Sequence, residues 1–471
     1  MSASTTNDRP LDWGLSDFNA MEAVMWRAEA DPLLSSTVVA IEELDRAPEW
    51  NRFVSTHEWG SRMVPRFRQR IDDGRFGYPA WVTDASFQLR HHVFRVELDG
   101  GTWQDVLDRV AAIAQAPFDP DRSPWEATLI TGLQEGRAAY VLKMHHAVLD
   151  GAAGMQLFSK MHSRQREPTK DKPQPLPLPV ARTSALVSAV RRDATALGRG
   201  VLRLPGMGRK ALRPDRTILE SARYITSLRR VLGPVAASPS PVLANRSGAW
   251  RFFALDVPLP ALRIAARSAD ATLNDAYLAA VLSGFARYHE ALGTPVDALP
   301  IAIPIAIRKP GGGQSATRFA GGRLAAPTAI ADPTERMHAI GRIVAHLRKE
   351  TALDAVDGIA PVLSRLPGPV LARLVAQVSA GSDLQVSNIP GIPEEDVYIA
   401  GAKALRFYAY GPLPGCAAMV VLVSHGQTCC VTVNHDAAAI ADPELLRTCL
   451  VAGFDEVLAL GSPDARAELR R

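Results

Sequence analysis

Cysteine is scarce in this chain: four in 471 residues, Cys416, Cys429, Cys430 and Cys449, all close to the C-terminal end. Their spacing is not that of a metal site, and adjacent cysteines rarely bridge. A disulfide scaffold and a cysteine-rich metal centre are therefore excluded, and buried, reduced thiols are expected. Long apolar runs are missing too. Stretches such as "CAAMVVLV" (416–423) fall far short of the ~20 residues that span a bilayer. The opening "MSASTTNDRPLDW" has neither the basic nor the apolar region of a signal peptide, so the expected location is the cytoplasm. Aromatic residues make up 6%.

What is present is core-forming material: 47% hydrophobic and 22% charged residues, with 34 Gly and 35 Pro that show no fibrous period. The length points to two large domains rather than one. Between them, 167–241 opens on "PTKDKPQPLPLPV" and closes on "LGPVAASPSP", and reads as a connector. Its stretch 182–230 holds twelve Lys/Arg against three acidic residues, a net +9 that exceeds the +4 of the whole chain. Such a segment is a solvated linker, a surface for anionic lipid or a lipid droplet, or a nucleic-acid patch. The last is disfavoured because Tyr224 is its only aromatic.

The expected domains are therefore 1–166 and 242–471, both mixed α and β. "AAYVLKM" (138–144), "PIAIPIAI" (300–307) and "LQVSNI" (384–389) read as strands, and "AAMVVLV" with "CCVTVN" as a hairpin through Ser424-His425-Gly426-Gln427. "TLNDAYLAAVLSGFARYHEAL" reads as a helix with Thr272 and Asn274 as cap residues. A second helix opens on Asp442 as N-cap with Pro443 at its first position.

The feature that calls for chemistry is "KMHHAVLDGAAGMQLF" (143–158), where His145 and His146 follow a strand and precede a helical pattern, with Asp150 and Gly151 four and five residues after His146. A metal site would need further ligands, and no other His or Cys pair stands at ligand spacing. Two readings remain: histidines satisfied structurally, or a general base at a strand end where a hydroxyl can reach it. "VNHDAAAIADPELLR" repeats the strand, His, loop, helix order, which would set His435 opposite His146 in two copies of one fold.

His145-His146-x-x-x-Asp150-Gly151 resembles the signature of acyltransferases with the chloramphenicol-acetyltransferase-like fold, which include peptide-synthetase condensation domains. Other blocks are similar to those of the bacterial wax ester synthase/diacylglycerol acyltransferase family: "FDPDRSPWEATLITGL" (118–133) to its Pro-Leu-Trp block, "LNDAYLAAV" (273–281) to its Asn-Asp block and "VSNIPGIP" (386–393) to its Ser-Asn-x-Pro-Gly block. "LSDFNAMEAVMW" and "YIAGAKALRFYAYGPLPG" also fit.

The resemblance implies an α/β (α+β) protein of two such domains, each a mixed sheet with helices, and a tunnel between them with His146 as general base at its mouth. Acyl-CoA would serve as co-substrate, with no other cofactor and no metal, and diacylglycerol or a long-chain alcohol as acceptor. A membrane or droplet surface reached through the connector would be a further partner. His145 would be a buried neighbour, Asp150 would pair with an Arg, for which Arg308 is the candidate, and Gly151 would leave room for a tight turn or the acyl group. Asn274 would be an oxyanion donor or a helix cap, with Asp275 beside it on the substrate side, and Asn388 a structural or tunnel-lining residue. Pro124 and Trp125 would brace the fold. The chain departs from the family pattern at Ser123, where Leu is usual, and at Gly321-Gly322, where a Gly-Asn pair is usual, which leaves the acceptor open. Two alternatives keep the fold: a condensation-type enzyme fed by a carrier-protein thioester, and a lipid-binding protein without catalysis.

Overall fold

A computed structural model of the chain describes residues 18, 20–73, 79–148, 154, 157–158, 161–170, 236–308, 317–349, 360 and 363–470, with the backbone alone at 305–308 and 317–320. In chain order the first half comprises α1 (Ala20–Ala28), β1 (Thr37–Leu44), α2 (Trp50–Met63), β2 (Gln69–Asp72), β3 (Ala80–Thr83), β4 (Val93–Gly101), α3 (Trp103–Gln115), β5 (Trp125–Leu133) and β6 (Ala138–His145). The second half begins with β7 (Trp250–Pro258), α4 (Leu259–Ser268), α5 (Leu273–Ala291), β8 (Ala298–Arg308), β9 (Thr317–Pro327), α6 (Pro333–Leu347) and α7 (Gly368–Ser379). It continues with β10 (Leu384–Ile392), β11 (Tyr398–Ile399), β12 (Ala402–Tyr410), β13 (Ala418–His425), β14 (Thr428–Asp436), α8 (Pro443–Leu458) and β15 (Glu468–Leu469).

Two mixed sheets carry the structure. The first runs β11-β12-β1-β6-β5-β4 and the second β15-β7-β14-β13-β10-β8-β9, while β2 and β3 form a separate ribbon. Strand β6 is central and all eight of its residues are buried, as a strand covered on both faces requires. The expected hairpin forms from β13 and β14 in antiparallel register, Ser424 opposite Cys429, with Gly426 at φ +55° in its turn, a conformation glycine adopts without penalty. The neighbouring Cys429 and Cys430 point to opposite faces of β14 and enter different apolar clusters; all four thiols are free and buried.

Side-chain caps start α8 and α5. Asp442 accepts from the Leu445 N–H with Pro443 in the first turn of α8. On α5 the structure corrects the expected cap: Thr272 alone is the N-cap, and Asp275, not Asn274, completes a capping box with it.

The sheets do not follow a division of the chain at 167–241. β12, from the C-terminal part, pairs along β1 from Val39↔Tyr410 to Leu44↔Ala404, so the first sheet is finished by a strand that arrives after most of the second is built. Helix α3 fills the space between the sheets, where Trp103 and Val110 share one apolar cluster with Ile41, Phe252 and Tyr408. In the second sheet β8 pairs with β10 only at Leu384↔Ile301 and Gln385↔Ala302. Pro304, which has no N–H to donate, follows two residues later, and beyond that point β10 runs unpaired on its β8 side, through Asn388.

Candidate functional site

The His pair is set by backbone hydrogen bonds before any side chain acts. The His145 N–H donates to the Pro124 carbonyl at 3.0 Å, the His146 N–H to the Ser36 carbonyl at 3.0 Å, and the Val148 N–H to the His145 carbonyl at 2.9 Å, closing a turn over 146–148. Adjacent residues at a strand end face opposite ways. His145 is accordingly fully buried, while His146 is half-buried.

His145 is occupied by its own loop. Its Nδ1 accepts the Ala147 N–H at 3.0 Å, which places the ring proton on Nε2. Nε2 faces Glu29 Oε1 at 3.3 Å but off the hydrogen-bond line, and the Trp26 ring packs edge-on at 5.2 Å. Glu29 Oε1 also accepts the Ser36 N–H at 2.5 Å, so α1 and the start of β1 are tied to the pair. Two residues earlier on β6, Lys143 is fully buried, donating to the Ala116 carbonyl at 2.8 Å and lying 3.2 Å from Glu126. Burial pulls its pKa down against the pull of Glu126.

Arg66 grips the turn from the other side. Its Nη1 donates to the carbonyls of Ala147 at 2.8 Å and Val148 at 3.3 Å, and pairs with Glu22 at 3.0 Å, with the guanidinium 5.1 Å from the Trp81 ring centroid. Ser123 Oγ donates to the Arg66 carbonyl at 2.8 Å, and Trp125 Nε1 to the Phe67 carbonyl at 2.8 Å, its ring stacked between Phe67 and His92. The Ser-Pro-Trp block thus fixes both the strand end, through the Pro124 carbonyl, and the segment that carries Arg66. Ser123, the departure from the family pattern, supplies a hydrogen bond that Leu cannot. Arg66, Glu22 and Glu29 were missed in sequence; Glu22 lies in the quoted block "LSDFNAMEAVMW", but nothing in spacing links Arg66 to a turn 81 residues away. Asp150 and Gly151 lie outside the described residues, as does the side chain of Arg308, so the expected Asp150–Arg308 pair does too.

The two candidate asparagines meet. Asn388 Nδ2 donates to Asn274 Oδ1 at 3.5 Å, both half-buried, which turns the Asn274 amide N–H groups away from Asn388. Just beyond Asn388, Ile389 and Ile392 pack in the same apolar cluster as Met144 and Val148 on either side of the His pair. Asp275 goes elsewhere: its Oδ2 accepts from the Thr272 N–H at 3.0 Å and the hydroxyl at 2.6 Å, and it packs against Gly341. That carboxylate completes the capping box that starts α5.

The second half repeats the architecture of the His turn, with a shift of one residue from the expected match. β14 ends at Asp436, whose Oδ1 accepts the Ala438 N–H at 2.8 Å just as His145 Nδ1 accepts that of Ala147. By this pattern Asp436 matches His145 and Ala437 matches His146. His435 is not the counterpart of His146; it is buried one position earlier, and burial pushes its pKa down to about 4. Among the described residues no group of three or more His, Cys, Asp or Glu is placed to hold a metal.

Two family profiles match the chain: "Wax ester synthase/diacylglycerol acyltransferase catalytic domain" at residues 9–277 and "WS/DGAT C-terminal domain" at 318–457. A Mycobacterium tuberculosis protein provisionally named a diacylglycerol O-acyltransferase is 42% identical over 464 residues, covering 96% of this chain and 94% of its own. Another of that organism, named likewise, is 27% identical over 484 residues, covering 95% and 98%. Among solved structures, the wax ester synthase/diacylglycerol acyltransferase from Marinobacter aquaeolei VT8 superposes with a TM-score of 0.64 at 19% identity, covering 95% of this chain and all of that one. The first condensation domain of the CDA synthetase does so with 0.60 at 13%, covering 96% and 99%. At such identities the likeness establishes the fold, two chloramphenicol-acetyltransferase-like halves.

Proposed function

The chain belongs to the wax ester synthase/diacylglycerol acyltransferase family and is an O-acyltransferase, and on that premise we propose that it esterifies diacylglycerol, a long-chain alcohol, or both, from acyl-CoA, with His146 as general base. The observation that carries this reading is the division of labour in the His pair. His145 is buried with its Nδ1 engaged, whereas His146 is half-exposed on a turn clamped from two sides. A base gains most from being held where the hydroxyl arrives.

The imidazole of His146 takes the proton of the acceptor hydroxyl as that oxygen attacks the thioester carbonyl. The tetrahedral intermediate then collapses, the C–S bond breaks, and the imidazolium returns the proton to the departing CoA sulfur, so no acyl-enzyme forms. The developing oxyanion needs fixed donors, each worth ~2.7 to 4 kcal/mol. Asn274, its amide oriented by Asn388, is the side-chain candidate. The connector 167–241, of which 171–235 lies outside the described residues, supplies a basic segment for an anionic lipid surface.

The deciding experiment supplies palmitoyl-CoA with diacylglycerol and hexadecanol in parallel, to the wild type and to His146→Ala. Ester from the wild type that disappears in the variant supports the reading, and the product ratio gives the acceptor. A folded wild type that makes neither ester, yet transfers acyl groups from a carrier protein, would replace the acyl-CoA donor with the condensation-type one. No transfer from either donor would leave a lipid-binding protein.

A further inference from the structure

Helix α7 presents an apolar face to solvent. Val370, Leu374 and Val378 are 46%, 41% and 46% exposed, three of the seven large apolar side chains exposed among the described residues. With Arg373 and Gln377, also exposed, they occupy positions i, i+3, i+4, i+7 and i+8, one continuous face of a helix. The opposite face is already used: Leu371 packs with Val24 of α1, and Ala372 with Ala28 of α1 and Leu34. The exposed stripe is therefore in addition to the packing face, not a substitute for it.

The charge along this segment of the chain has one sign. From 363 to 382 there is no Asp or Glu, while Arg365 and Arg373 are both exposed. A second copy of α7 laid antiparallel on the first would bring the two Arg373 side chains together near the centre of the stripe with no carboxylate on either helix to offset them. An anionic phospholipid surface meets both requirements, apolar chains for the stripe and phosphates for the arginines. Its position suits such a surface as well. α7 packs on α1, and α1 carries Trp26 against the His145 ring, with Glu29 following it, so one helix separates the stripe from the His pair.

We propose that α7 is a docking helix for an anionic phospholipid surface, seating Val370, Leu374 and Val378 among the acyl chains and Arg365 and Arg373 at the headgroups. This contact is distinct from the basic connector. Its benefit to turnover rests on the lipid substrates proposed above, but docking itself is measured without turnover.

The test is co-sedimentation of the full chain with vesicles of phosphatidylcholine, and of phosphatidylcholine with an equal part of phosphatidylglycerol. It compares the wild type with Val370→Ser/Leu374→Ser/Val378→Ser and with Arg365→Gln/Arg373→Gln. The wild type is expected on the anionic vesicles. The triple variant, whose changes sit on an exposed face and leave the fold intact by circular dichroism, should partition about tenfold less or weaker still. The double-Gln variant should bind the anionic vesicles several-fold more weakly than the wild type and lose part of the salt sensitivity, the part that the connector does not supply. Wild-type binding unchanged in the triple variant, no wild-type binding at all, or a dimer that only the triple variant dissolves would each overturn the proposal. With detergent-dispersed substrates the triple variant should turn over like the wild type; a wild type that docks but esterifies nothing leaves the docking standing and removes the activity.

Discussion

Glu29 and His146 are linked through a single residue: the Glu29 carboxylate accepts the Ser36 N–H, and the Ser36 carbonyl accepts the His146 N–H. The same carboxylate oxygen stands 3.3 Å from Nε2 of His145. One side chain just past the end of α1 thus positions the residue before β1 and, through it, the backbone of the proposed base. Glu29 is a positioning residue rather than a catalytic one.

Glu29→Gln keeps an acceptor for Ser36 and should leave stability within ~0.5 kcal/mol, with a modest fall in kcat. Glu29→Ala removes that acceptor and should cost ~1 to 3 kcal/mol and lower kcat further than it raises KM. Urea denaturation together with steady-state kinetics on both variants separates the two, and equal losses in both would show that the charge, not the hydrogen bond, matters.

Arg66→Ala removes the cation 3.0 Å from the Glu22 carboxylate and takes a donor from two turn carbonyls. Loss of one member of a buried pair costs ~3 to 5 kcal/mol. Where the variant still folds, a turn displaced by about 1 Å should lower kcat ~100-fold. Arg66→Lys restores the charge but not the fork, so it should recover stability more than rate. Thermal melts and kcat measured on both variants give the comparison.

Thr272→Val and Asn274→Ala should act oppositely although two residues apart. Thr272 is the N-cap of α5, so its replacement should cost ~1 kcal/mol and leave kcat unchanged. Asn274 does not cap; its loss should leave stability within ~0.5 kcal/mol and lower kcat ~100-fold if its amide meets the oxyanion. A kcat unchanged in Asn274→Ala would remove it from the site.

Asp383 gives a pH prediction. Its carboxyl is 1% exposed, and burial raises its pKa from 3.8 to about 6, against the Ser240 N–H and Arg246, which favour the anion. A folded pKa above the unfolded one stabilises the protein fully below pH 3.8, and that stability is lost as pH rises through about 6. Two pKa units correspond to roughly 3 kcal/mol. Asp383→Asn keeps an acceptor for Ser240 without the charge, so it should flatten stability between pH 4 and 7 and exceed the wild type at neutral pH. Chemical denaturation at pH 4.5 and 7.5 is the check.

Much of this was legible in one dimension. The strands over 138–144 and 300–307, the hairpin through Gly426 and the N-cap of α8 at Asp442 are local, because periodicity, turn chemistry and capping are decided within a few residues. The motif around His145 and His146 and the flanking blocks likewise name a family from residues adjacent in the chain. The internal echo misled by one position because it matched letters, whereas the equivalence lies in which side chain accepts the N–H two residues on, His145 in one half and Asp436 in the other.

What only the tertiary structure decided is who holds the pair and which partner each strand takes. Arg66 reaches a turn 81 residues away, β12 leaves the second half to complete the first sheet, and Asn274 turns from a cap to a partner of Asn388. These contacts join side chains and edges that no spacing rule relates. Buried polar groups must find partners wherever the packed chain brings them, so the sequence by itself determined the elements and the signature, and the packing of two sheets determined that His145 is buried while His146 stands half-buried on the turn.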